Sequence, residues 1–123
     1  MTSSSPAGRL MSYAHTAISR DHDARQRLAK SITIGPSFDL ADLVTSVLAN
    51  AGRARPYRAA LDLAEATGDT MKGFRTVYQD TLREVIREGI PSADTPVGDL
   101  QRRAEHEGAL TFLRDVGPIL GIR

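Results

Sequence analysis

The side chains best suited to chemistry in this 123-residue chain are His15, His22 and His106, two of them flanked by carboxylates in Asp21-His22-Asp23 and Glu105-His106-Glu107. His15 and His22 are seven residues apart, which stacks them two turns apart on one face of an unbroken helix. With Asp21 and Asp23 beside them a divalent ion is conceivable, yet two histidines of unfixed register do not make a zinc site, and the run reads as a solvated charged turn. In Glu105-His106-Glu107, neighbouring helix residues point about 100° apart and cannot converge on one substrate, so exposed helix surface is expected. Cysteine is absent, which removes disulfides, thiolate metal sites and a cysteine nucleophile. The N-terminal serines have no histidine at a triad spacing, and Gly68-Asp69-Thr70-Met71-Lys72-Gly73 has neither the glycine pattern nor the preceding strand of a phosphate loop. No catalytic residue, metal, cofactor or small-molecule substrate is inferred, and an enzyme is the least supported reading.

Two surfaces suggest binding instead. The segment from Leu63 to Val77 resembles a helix-turn-helix motif, in which a small residue lets two helices cross, a glycine turns the chain, and the second helix presents its first residues to a DNA groove. Ala64, Gly68, Thr70, Phe74 and Val77 occupy the small, turn, cap and core positions. This reading makes Thr70, Lys72, Arg75 and Thr76 the DNA-reading residues and Arg53, Arg55 and Arg58 the phosphate contacts. Two departures count against it: Asp69 replaces an apolar turn residue, and Gly73 costs about 1 kcal/mol inside a helix. An ordinary αα-hairpin needs the same small residue, turn and cap.

The second surface is the C-terminal stretch, where Val116, Ile119, Leu120 and Ile122 either tuck onto the chain's own core or form an apolar peg for a partner or a second copy. The first hypothesis is accordingly a non-catalytic helical interaction protein, an assembly or adaptor subunit with a protein partner or self-association. A small helix-turn-helix DNA-binding regulator is the alternative.

Composition agrees with a soluble domain. The formal charge is +1, from 16 basic and 15 acidic residues, without the basic stripe of a dedicated nucleic-acid binder. Apolar runs are far shorter than the roughly 20 residues of a membrane span. The start of the chain lacks the basic and apolar regions of a secretory signal, so a cytoplasmic location is expected.

The elements that must position these residues are all helical. Residues 1–8 read as a flexible tail and 9–123 as a single domain. Leu10, Ala14, Ala17 and Ile18, then Ala24 and Leu28, recur at helical spacing, with the polar run Ser19 to Asp23 leaving one long helix or two short ones. Ser31-Ile32-Thr33-Ile34 alternates at period two before the Gly35-Pro36 turn. A second helix carries Leu40, Leu43, Val44, Val47, Leu48 and Ala51, capped by Asp39, stapled by Phe38 and ended by Gly52. A third starts at Pro56 and carries Tyr57, Ala60, Leu61 and Ala64 as far as Gly68. The fourth runs from Asp69 or Thr70 to Glu88 and is stopped by Gly89-Ile90-Pro91. A fifth begins at Thr95, breaks near Gly108 and ends at Gly117-Pro118. Short connections favour antiparallel neighbours, hence an all-α compact bundle of about five helices. With three Phe, three Tyr and no Trp, its core is expected to be aliphatic.

Overall fold

Ser5 opens the first helix. Its hydroxyl accepts a hydrogen bond from the Gly8 N–H at 3.0 Å, and its carbonyl accepts one from Arg9 at 2.9 Å, while Pro6 takes the first helical position, where no N–H is needed. The computed structural model describes residues 5–34, 40–88 and 100–122. Among them are α1 (Pro6–Ile34), α2 (Leu40–Thr67), α3 (Thr70–Glu88) and α4 (Leu100–Val116), with no strand. The capping residues Phe38 and Asp39, the Gly89-Ile90-Pro91 stop and the expected helix start at Thr95 lie outside the described residues.

Among the described residues the helix count falls from about five to four because two expected boundaries are interior positions. Gly52 and Pro56 do not end one helix and start another; both lie within the 28-residue α2. Pro56 has no N–H to offer the Gly52 carbonyl, and that carbonyl faces the backbone of α4. A Cβ built on Gly108 would collide with the Gly52 carbonyl, and one on Gly52 would collide with that of Ala104. The two helices meet backbone to backbone, where only the hydrogen of a glycine fits. A stop signal in the sequence is thus a crossing point in the fold.

α1 is likewise a single 29-residue helix. It takes in Pro6, Ala7 and Gly8, expected as tail, and Ser31–Ile34, expected as an extended segment. The polar run does not break it either. Asp21 is fully buried, and its carboxylate accepts from Arg58 of α2 at 2.7 Å and from Arg25 one turn on at 3.1 Å. The expected solvated turn is instead a charge-paired contact between α1 and α2.

α2 is the spine, packing against α1, α3 and α4. At the centre Tyr57, Phe74 and Phe112 bring one ring each from α2, α3 and α4. Phe112 meets Tyr57 edge-on at 4.9 Å between centroids, and Phe74 lies 6.4 Å from Tyr57 and 6.5 Å from Phe112. The core is therefore aromatic at its middle, contrary to the aliphatic expectation, with Leu10, Ala14, Ala60, Val77 and Val116 around it. Three rings of large area, one from each of three helices, thus meet at the middle of the core.

Candidate functional site

Gly68 turns the chain with a φ of +71°, the left-handed conformation that glycine adopts without strain. Asp69, not Thr70, is the cap: its carboxylate accepts from the Lys72 N–H at 3.1 Å. From that turn α3 runs back along the whole upper half of α2. Near the turn, Gly73 lies on Ala64 and Ala60, so closely that a Cβ would come within 2.6 Å of the Ala64 nitrogen. Farther along, Val77 and Thr81 share a cleft with Pro56 and Ala59, and Val85 and Glu88 reach the level of Gly52. This is an antiparallel αα-hairpin, whereas a helix-turn-helix pair crosses at about 90–120°. Gly73, a penalty when read along the helix alone, is what allows the two backbones to meet.

Of the four residues expected to read DNA, Lys72 and Arg75 are exposed and Thr70 and Thr76 are half-buried. The arginines expected beside them diverge. Arg55 bonds Glu105 at 3.0 Å, Arg58 bonds the buried Asp21 at 2.7 Å, and Arg53 faces a different cleft with Arg20 and Arg114. Positions two and five apart on one helix point about 200° and 140° away from each other. The structure does not assemble these seven residues into one surface.

The C-terminal stretch folds back on its own bundle. Val116, Ile119 and Leu120 join the core and Ile122 packs half-buried beside it. Backbone bonds from Leu120 to Val116 and from Ile122 to Gly117, at 3.0 and 2.9 Å, close the turn. Of the two expected alternatives the stretch takes the first, docking on the chain's own core, where burying Val116, Ile119 and Leu120 is worth about 1.5–3 kcal/mol each and the half-buried Ile122 less.

What the fold does create is a cleft of about 230 Å³ between α2, α3 and α4. Its floor is apolar, built from Pro56, Ala59, Val77, Val85 and Ala109. Its rim is acidic. Asp80, Glu84 and Glu88 stand one turn apart on α3, and Glu105 faces them from α4 with Arg55 paired to it. Arg83 reaches Asp80 at 3.7 Å from the outer flank. Two polar side chains sit deep in the wall: His106 is 7 % exposed and Thr81 8 %, and neither side chain has a hydrogen-bond partner among the described residues. Both line the cleft, so their unspent polar atoms open into it.

No family model, curated protein or solved structure matches the chain. Function therefore rests on the chemistry of its own surfaces. Among the described residues no group of three or more His, Asp or Glu could hold a metal ion, and no helix is long and apolar enough to cross a membrane.

Sequence reasoning placed His106 on exposed surface and missed the cleft. One signal was available: Asp80, Glu84 and Glu88 are spaced four apart, which draws a single acidic line along α3. Nothing local announces that His106 lies opposite that line, because its burial comes from the Gly52–Gly108 crossing that presses α4 onto α2.

Proposed function

We propose that the chain is a non-catalytic helical interaction protein, an assembly or adaptor subunit, and that its contact face is the α2–α3–α4 cleft. The observation that carries this reading is the cleft's composition. An apolar floor lies under a carboxylate rim, with the unpartnered His106 and Thr81 between them. Its charge complement is an amphipathic segment of a partner protein, apolar on the face that enters and basic at the edges that meet Asp80, Glu84 and Glu88. Thr81 offers a hydroxyl and His106 an imidazole, and the lack of a hydrogen bond joining them to each other or to a carboxylate among the described residues favours contact over catalysis as the reading. Against the nucleic-acid alternative stand the antiparallel hairpin and the divergent arginines.

The test is fluorescence anisotropy with two labelled helical peptides of equal length, one of Lys and Leu and one of Glu and Leu. The basic peptide is expected to bind at least tenfold more tightly, with affinity falling as salt rises and falling again in the Glu84→Lys, Glu88→Lys double variant. Equal affinity for the two peptides, or binding unchanged by the double variant, removes the cleft from the reading.

A further inference from the structure

On the opposite side of α2, three helices each deliver an arginine to one cleft of about 470 Å³: Arg20 from α1, Arg53 from α2 and Arg114 from α4. Arg114 is paired with its neighbour Asp115 at 3.3 Å. Arg20 and Arg53 make no ion pair with any described residue. Deep in the wall lies Tyr57, only 4 % exposed, and its hydroxyl has no hydrogen-bond partner among the described residues although it borders the cleft. Ser12 and Thr16, one turn apart on α1, add hydroxyls, and Tyr13 stands 43 % exposed at the mouth.

We propose that this cleft binds a small organic phosphate, the phosphate held by Arg20, Arg53 and Arg114 and the body of the molecule resting on the Tyr13 ring. Guanidinium groups present planar forks of donors that match phosphate oxygens, and three of them arriving from different helices surround a dianion instead of lining a convex stripe. That concavity is what favours a small molecule over a polymer backbone. Tyr57 supplies the remaining donor. Burial, and next the nearby Asp115 carboxylate, hold its phenol in the protonated, donating form well above the usual tyrosine range. Asp115 is the single acid in the lining; Arg114 already neutralises it in part, and it is the one group there that opposes an anion. The proposal is independent of the cleft on the other side of α2, which shares no lining residue with this one.

Calorimetric titration of the full chain with phenyl phosphate and with inorganic phosphate, at constant ionic strength, tests it. Saturable binding of both is expected, tighter for phenyl phosphate because its ring adds contact with Tyr13. The Arg20→Gln, Arg53→Gln double variant is expected to lose about ten- to a hundredfold in affinity and Tyr57→Phe about tenfold. Asp115→Asn is expected to strengthen binding of inorganic phosphate. Both substituted arginines are exposed, so the double variant should keep its thermal melt, and amide shifts around Tyr13 and Tyr57 on titration locate the site without reference to affinity. No saturable binding of either phosphate up to about 10 mM overturns the proposal. Affinity unchanged in the double arginine variant does so too. So does binding of a short DNA duplex through the same arginines while phenyl phosphate stays silent, which would assign the cleft to a polymer.

Discussion

Asp21 is a carboxylate with no exposure, held by two arginines whose own side chains remain half or more in solvent. Water around the arginines weakens the attraction, but a carboxamide in place of the buried carboxylate cannot satisfy both guanidinium groups. Asp21→Asn is expected to cost about 2 kcal/mol, below the 3–5 kcal/mol typical of a wholly buried pair, as measured by urea denaturation. Tyr57 gives a pH dependence. Its phenol is raised above the ordinary value of 10.0, by burial first and then by Asp115 and Tyr13. Below about pH 10 the phenol is protonated in both folded and unfolded chains and its contribution to stability is whole. Above that pH the unfolded chain releases the proton first, so stability falls as pH rises. Thermal melts from about pH 8 to about pH 11 should show this alkaline decline, and Tyr57→Phe should flatten it. An equal slope in the variant would assign the decline to other groups.

At the scale of elements, glycine reverses its usual sign. Replacing glycine by alanine in a helix interior ordinarily adds about 0.5–1 kcal/mol of stability. Gly73→Ala and Gly108→Ala are each expected instead to destabilise by about 2 kcal/mol or more, since the added carbon meets the backbone of α2 and not the flexible end of a side chain. Gly68→Ala has open space around it, and its cost comes only from a positive φ, about 1 kcal/mol. Chemical denaturation of the three variants separates a close crossing from a strained turn. A mild Gly108→Ala would mean that α4 can move off α2 without loss.

Across the described residues the core is lopsided. In the described part of α2 no residue before Gly52 is fully buried, whereas Gly52, Ala54, Pro56, Tyr57 and Ala60 all are. Amide hydrogen exchange should therefore be faster over residues 43–50 than over 54–64, because local opening there exposes less apolar surface. The C-terminal turn belongs to the well-packed side. Removing residues 117–123 takes Ile119 and Leu120 out of the core and is expected to cost about 3–5 kcal/mol by chemical denaturation. A truncated chain of unchanged stability would show that the core closes without the tail.

The sequence by itself determined that the described residues are helical, where α3 starts, and that Gly68 is a turn. Each of these follows from local rules: apolar spacing of three and four, a capping carboxylate, a left-handed glycine. The acidic line Asp80, Glu84, Glu88 was legible for the same reason, since all three residues stand on one helix. Only the tertiary structure decided that Gly52 and Gly108 form a crossing and that Asp21 and His106 are buried. Those outcomes depend on which backbones approach within a hydrogen atom's width. That distance is set by residues about fifty positions apart along the chain, and no window read along one helix contains both partners.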